Sequence, residues 1–229
     1  MKLLKQKKIN LLKNNYFLCY KVSVLNTNEL LFENIICFLS NSMLLKILGN
    51  NGSGKTTLFN IFLNIKNKSF GYIKLSIANK LIFNNIYNKY MCLLTESKNL
   101  ITNSEIKIIA KFWYKMFILI YNLQIKTNFQ LIQKLNNILV LTHSQNFQNI
   151  NIEFLSSGQK KRVQFITLFY IFFPLWLIDE PTSALDIKML KIFNQYLYYH
   201  IIFGGTIIYI SHEFIPLKTF FLDLNYKTL

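Results

Sequence analysis

Apolar positions in this chain fall into short blocks separated by Asn, Lys and Gly, and the spacing within the blocks changes along the sequence. Before residue 40 the blocks are Ile9–Leu12, Tyr16–Val24 and Asn34–Leu39, dominated by β-branched and aromatic residues, with Asn and Thr breaks near residues 26–28. They predict two or three strands that form an antiparallel layer. Leu44–Leu48 is a short apolar run with one lysine, the mark of a mostly buried strand. Leu58, Phe59, Phe62 and Leu63 then repeat at helical spacing. Residues 71–76 and Tyr90–Thr95 read as further strands. The pattern changes at Ile106, Ile109, Phe112, Trp113, Met116, Phe117 and Ile120, which recur at intervals of three and four, as on an amphipathic helix with a broad apolar face. Phe129–Leu139 is a second helical stretch, so the region reads as a helical lobe inserted in a sheet domain. Met116 and the lobe aromatics suit ordinary helix core better than a partner-binding face. Phe154–Tyr170 is helical, Leu175–Ile178 is a buried strand, Ile187–Phe203 is a helix stopped by Gly204 and Gly205, and Thr206–Ile210 is a β-branched strand. Strand and helix alternating after residue 43 imply an α/β fold with a mostly parallel sheet. Ligands of such sheets bind at the carboxyl ends of the strands, where Lys55, Asp179, Glu180 and His212 all fall.

One of the strand–helix junctions carries specific chemistry. Between the Leu44–Leu48 strand and the helix after it lies Gly49-Asn50-Asn51-Gly52-Ser53-Gly54-Lys55-Thr56-Thr57, which fits G-x-x-x-x-G-K-[ST]. Strand, glycine loop and helix are the context that gives this pattern meaning. A triphosphate needs several backbone N–H groups pointing inward, and glycines let the loop fold tightly enough to supply them. The helix N-terminus adds free N–H groups and a favourable dipole. Lys55 places a cation between the terminal phosphates, and Thr56 offers a hydroxyl to Mg²⁺. Asp179, after four apolar residues, can hold Mg²⁺ from a strand end, and Glu180 can orient or deprotonate an attacking water.

Composition changes this picture little. The length of 229 residues suits one domain, or one domain with an inserted lobe, and 52% hydrophobic residues allow a sizeable core. The net charge of +16 would fit nucleic acid or an anionic membrane. A plainer cause is compositional drift: Arg162 is the sole arginine, Ala78, Ala110 and Ala184 are the only alanines, and Lys, Asn, Ile, Phe and Tyr abound. Those abundant residues have A/T-rich codons, which points to a compact organellar or endosymbiont genome with lysine as the default surface residue. No nucleic-acid partner is expected. Cys19, Cys37 and Cys92 show no disulfide framework or metal spacing and read as buried free thiols in a reducing compartment. The uncharged, largely apolar run Val163–Ile178 is broken by Pro174 and is too short for a membrane span. The basic N-terminus, with Lys2, Lys5, Lys7, Lys8 and Lys13, lacks the arginine and serine of a transit peptide, and an organellar gene would need none.

At Leu155-Ser156-Ser157-Gly158-Gln159-Lys160-Lys161-Arg162 the sequence resembles the signature motif of ATP-binding cassette (ABC) ATPases, usually Leu-Ser-Gly-Gly-Gln. The order of phosphate loop, helical lobe, signature, Asp179-Glu180-Pro181, Ser183–Asp186 and His212 also resembles that family, over about residues 10–213. The resemblance implies an ABC-type P-loop NTPase: one domain over residues 1–229, with a parallel sheet core, an N-terminal antiparallel β layer and a helical lobe of about residues 100–165 inserted in the core. It implies ATP and Mg²⁺ as ligands, Glu180 and His212 as catalytic residues, and Asp186 in a loop that lines the nucleotide. It also implies a head-to-tail homodimer in which Ser156, Ser157, Gly158 and Gln159 of each copy close on the phosphates held by the other copy's Lys55, a two-fold arrangement with two sites. The family's metal-water glutamine falls at Glu96, which can still hold a metal alongside Thr56 and Asp179 but adds negative charge. The adenine-stacking aromatic is open between Tyr16 and Tyr20.

Within that family the chain is most similar to the haem-exporter ATPases of cytochrome c maturation. These carry a small residue in place of the first signature glycine, basic residues after it, and a Pro-Leu-Trp run before Asp-Glu-Pro, as in Pro174–Pro181 here. The similarity implies integral membrane transporter subunits as partners, and a peripheral location on the matrix face of the mitochondrial inner membrane, or the cytoplasmic face if the source is bacterial. The alternatives are the soluble ABC ATPase of iron–sulfur cluster assembly, whose signature has Glu where Gln159 stands, the ATPase of another ABC exporter, and a non-transport ABC protein acting on ribosomes or DNA, which carries paired cassettes or long insertions.

Overall fold

The structure, a computed structural model, describes residues 15–26, 29–95, 128–170, 172–182, 185–211 and 217–224. Its strands are β1 (Tyr16–Asn26), β2 (Glu29–Ser40), β3 (Leu44–Leu48), β4 (Phe70–Ile77), β5 (Lys80–Ile82), β6 (Met91–Leu94), β7 (Leu175–Asp179), β8 (Thr206–Ile210) and β9 (Phe220–Asp223). Its α-helices are α1 (Lys55–Phe62), α2 (Asn128–Leu141), α3 (Ser157–Tyr170) and α4 (Ile187–Ile202). The chain divides into two compact units: residues 1–93, 173–180 and 197–229 form one, and residues 94–172 and 181–196 form the other.

The first unit contains two sheets. A four-stranded sheet has the order β2-β1-β4-β5, and its pairings are antiparallel. Along β1, Phe17 and Cys19 are buried while Tyr20 is exposed, the alternation of a sheet with one covered face. β4 and β5 are joined by Ala78 and Asn79 at φ 52° and 65°. Both turn residues are left-handed, which suits a two-residue hairpin to the twist of its strands. A five-stranded sheet has the order β6-β7-β8-β3-β9, with β7, β8, β3 and β9 mutually parallel. Its inner strands read Leu-Trp-Leu-Ile and Thr-Ile-Ile-Tyr-Ile, with nearly every position buried, as a parallel sheet covered on both faces requires.

One core joins the sheets through α1. Phe17, Leu39 and Leu75 of the antiparallel layer, Leu58 and Phe62 of α1, and Ile47, Leu177 and Ile208 of the parallel sheet belong to a single buried cluster. Phe17 meets Phe62 edge to face at 4.9 Å. Each fully buried side chain of this size contributes about 1.5–3 kcal/mol, so α1, only 8 residues long, is held by its packing rather than by its propensity. Cys19 and Cys37 lie opposite one another on β1 and β2, both buried and free. Cys92 is free and half-buried.

The second unit packs α2 and α3 with the first part of α4. Leu135, Ile138 and Leu139 of α2 and Val163, Phe165 and Ile166 of α3 are buried. Phe165 contacts Phe193 at 4.8 Å, and Phe169 stacks on Tyr196 at 3.6 Å. The Lys134 ammonium donates to the Tyr170 carbonyl. No described helix is long and apolar enough to cross a membrane.

The expected strands and helices end within three residues of those observed, except that β2 begins at Glu29, five residues before the expected Asn34–Leu39 strand; β5 and β9 were not expected. The predicted strand at Ile9–Leu12 and the helix built on Ile106–Ile120 lie outside the described residues.

Candidate active site

β3 ends at Leu48 and the chain turns at once into residues 49–54, where Ser53 N–H donates to the Asn50 carbonyl at 3.1 Å and Leu58 N–H to the Gly54 carbonyl at 2.8 Å, starting α1. Gly54 has φ 90°, and a Cβ there would fall 2.8 Å from a Leu31 methyl group, so only glycine suits the position. At Gly49 a Cβ would overlap the Ser53 hydroxyl. The loop thus brings the first turn of α1, with Lys55, Thr56 and Thr57, to the carboxyl end of β3, and that turn offers N–H groups that lack a carbonyl four residues back.

Lys55 Nζ donates to the carbonyls of Gly49 at 2.7 Å and Asn50 at 2.9 Å. The ammonium is therefore held across the loop that a phosphate would fill. Thr56 Oγ1 donates to Asp179 Oδ2 at 3.1 Å, a contact between residues 123 apart in sequence. It exists because β3 and β7 both flank β8 in one parallel register, Ile47 opposite Ile210 and Asp179 opposite Ile210. A hydroxyl and a carboxylate side by side are two hard oxygen ligands, the donor set that Mg²⁺ takes.

Glu180 follows Asp179 with φ 43°, left-handed, and precedes Pro181. A non-glycine residue there is strained by about 1–3 kcal/mol, and a following proline disfavours it further. The Glu180 N–H donates to the Ile210 carbonyl at 2.9 Å, which helps hold the conformation. Asp179 and Glu180 are half-buried. Strain of this kind, on a carboxylate at a sheet edge beside a phosphate loop, is a mark of a functional residue.

In the second unit Ser156 caps α3. Gln159 N–H donates to Ser156 Oγ at 3.3 Å, and Ser156 N–H donates to Gln159 Oε1 at 2.9 Å. This reciprocal capping box fixes the start of the helix. Ser156 and Ser157 are exposed, and Gly158 and Gln159 are half-buried. Asp186 caps α4: its Oδ1 accepts from Met189 N–H at 2.7 Å, and its Oδ2 accepts from Arg162 at 2.9 Å.

The expected site residues thus divide between the units. Residues 49–57, Asp179 and Glu180 come together in the first, and 156–159 and Asp186 in the second. Glu96, Ser183 and His212 lie outside the described residues. Both tyrosines considered for adenine stacking are engaged in ring pairs, Tyr16 with Phe38 at 6.0 Å and Tyr20 with Tyr72 at 5.3 Å.

The profile of the ABC transporter family matches residues 32–183. The chain belongs to that family. It is 31% identical over 218 residues to the cytochrome c biogenesis ATP-binding export protein CcmA of Reclinomonas americana, covering 95% of this chain and 94% of that one. It is 27% identical over 198 residues to the protein of the same name from Idiomarina loihiensis, covering 86% of each. Among solved structures, the ATP-binding subunit of an ABC transporter shares the fold with a TM-score of 0.73 at 18% identity, over 86% of this chain and 79% of that chain. A nucleotide-free ATP-binding cassette from an ABC transporter does so with a TM-score of 0.63 at 18% identity, over 87% and 82%.

This ABC protein is an ATP-binding transporter subunit, an ATPase whose hydrolysis is coupled to transport. Two contacts of the ABC chain escaped sequence reasoning. Gln164 Nε2 donates to the Thr95 carbonyl at 3.0 Å, tying α3 to the residue just before Glu96. Arg162 joins Asp186 to α3. A glutamine inside an apolar helix face is a signal for the first, and a solitary arginine is one for the second.

Proposed function

We propose that this chain powers haem export for cytochrome c biogenesis, as the ATP-hydrolysing subunit of an ABC transporter and a single domain over residues 1–229, with a helical lobe of about residues 100–165 inserted in the phosphate-loop core. The division into two compact units supports the inserted lobe. The relatives named for cytochrome c biogenesis, with nearly full mutual coverage, support the pathway. The single observation that carries the chemistry is the 3.1 Å contact between Thr56 and Asp179, which joins the phosphate loop to the carboxylate strand.

ATP binds along residues 49–57. The loop N–H groups and the helix N-terminus cradle its phosphates, and Lys55 turns from the Gly49 and Asn50 carbonyls to the terminal phosphate oxygens. Thr56, Asp179 and Glu96 would hold Mg²⁺, which would supply positive charge against the phosphates. Glu180 accepts the proton of the attacking water, and His212 stabilises the developing phosphate charge. Ser156, Ser157, Gly158 and Gln159 close on the phosphates bound by a second copy, and Asp186 lines the same interface, so two ATP molecules lie in a head-to-tail homodimer. The signature serine suits that role: its oxygen accepts from Gln159 N–H, leaving its hydroxyl hydrogen to donate.

The partners are integral membrane transporter subunits, and the site of action is the matrix face of the mitochondrial inner membrane, or the cytoplasmic face in a bacterium. Nucleic acid has no part in it. The test is recovery of the tagged chain from membranes. Release only on detergent solubilisation, together with integral subunits, and loss of haem-bearing cytochrome c when the gene is removed are the expected results. Recovery of the chain alone in the soluble fraction after gentle lysis, with cytochrome c intact, would contradict the proposal.

A further inference from the structure

Of the 26 basic residues in this chain, 25 are lysines and one is Arg162. An ammonium serves wherever a solvated point charge is enough, whereas a guanidinium is needed where a planar fork must reach two acceptors at once. Arg162 sits where such a fork is used. Its Nη2 donates to Asp186 Oδ2 at 2.9 Å, and its Nη1 points to the His143 carbonyl at 3.5 Å. Those acceptors belong to two different helix ends. Asp186 caps the start of α4 through Met189 N–H. His143, at φ 51°, closes the end of α2, where Ser144 N–H returns to the Leu139 carbonyl at 2.8 Å. Arg162 itself lies in α3, six residues after Ser156. One side chain of α3 therefore braces the end of α2 and the start of α4 in the second unit.

The pair contributes little to stability. The side chains of Arg162 and Asp186 are 26% and 49% exposed, and ion pairs of that kind are weakened by solvent. What the fork does fix is geometry: the far end of the segment that follows the Asp179–Glu180 carboxylates is pinned to the helix that opens with the signature serine.

We propose that Arg162 is a positioning residue for ATP hydrolysis, acting through Asp186 to keep the start of α4 in register with Ser156 and Gly158. It touches no nucleotide in this role. The inference rests on the proposed nucleotide reading above, in which both segments line one interface.

Two substitutions separate geometry from charge and from capping. Arg162→Lys keeps the charge and removes the fork. Asp186→Asn keeps a good helix cap and removes the ion pair. In the complete membrane complex, each is expected to lower kcat about tenfold, as displaced active-site elements do, with KM for ATP within about twofold. The double variant should be no worse than either single one, because both remove the same link. Unchanged kcat in Arg162→Lys, multiplied losses in the double variant, or a kcat loss matched by a falling melting temperature would each overturn the inference. Absence of hydrolysis in the unsubstituted complex would instead overturn the underlying nucleotide reading, and this inference with it.

Discussion

The two units of this molecule specify their chemistry in different ways. In the first, the phosphate loop is set by backbone: Gly54 at φ 90°, a Gly49 with no room for a Cβ, and a lysine folded onto loop carbonyls. In the second, the signature segment is set by side chains: a reciprocal serine–glutamine cap at Ser156 and a carboxylate cap at Asp186, joined by one arginine. The difference teaches where substitution is tolerated. A site set by backbone admits variable residues such as Asn50 and Asn51 between fixed glycines. A site set by caps depends on particular side chains but admits Ser157 where the family usually has glycine, because the third signature position needs only to enter a helix.

That contrast can be broken at several points. The largest expected effect is at the strained carboxylate. Glu180→Gln should retain ATP binding and lower kcat by about 10²–10⁴-fold, because the water loses its base while Thr56 and Asp179 remain; single-turnover hydrolysis beside nucleotide titration reads both. Lys55→Ala should weaken ATP binding by about 2 kcal/mol, roughly thirtyfold, measured with a fluorescent nucleotide, and unchanged affinity would remove the phosphate-loop assignment.

Smaller effects sharpen the contrast. Gly54→Ala should cost about 1–3 kcal/mol of folding stability, from a left-handed conformation imposed on a residue with a Cβ, read by urea unfolding. Ser156→Ala should cost only about 1 kcal/mol, a lost helix cap, on the same assay, while its effect on hydrolysis is far larger. If Ser156→Ala proves the more destabilising of the two, the backbone-against-side-chain distinction fails. The weakest effect is on pH dependence. The hydrogen bond with Cys37, then burial, raises the Cys19 thiol above its ordinary 9.0, and burial raises Tyr87 above its ordinary 10.0. Both are kept neutral in the folded state, so the unfolded chain ionises first as pH rises. Stability should hold below pH 9.0 and decline above it, in urea melts on either side of that value.

Much of this was legible in the sequence. Strand β3 at Leu44–Leu48 and strand β8 at Thr206–Ile210 were readable to the residue, because unbroken apolar runs bounded by Gly or polar residues have few alternatives. The phosphate loop was equally plain, since its glycines are demanded by local geometry. β5 and β9 were not readable: three and four residues give too little periodicity, and the pairing of β9 with β3 joins segments far apart in sequence. The contact of Thr56 with Asp179 could be anticipated from the rule that sites lie at the carboxyl ends of parallel strands. The left-handed Glu180 could not, because a glutamate before proline reads as extended. The ring pairs of Tyr16 and Tyr20 also escaped, since cross-strand register brings Tyr72 opposite Tyr20 only once β1 and β4 are aligned.

The central claim is that neither unit's chemistry is complete until a second copy supplies the other half, and mixing two defective chains tests it most directly. Lys55→Ala disables the phosphate loop and leaves the signature; Ser156→Arg disables the signature and leaves the loop. Each alone should show almost no ATP hydrolysis. Co-expressed in equal amounts, they should recover about a quarter of the unsubstituted rate, because half of the dimers are mixed and each mixed dimer holds one intact site. Hydrolysis in the mixture no higher than in either variant alone would contradict a site shared between two copies.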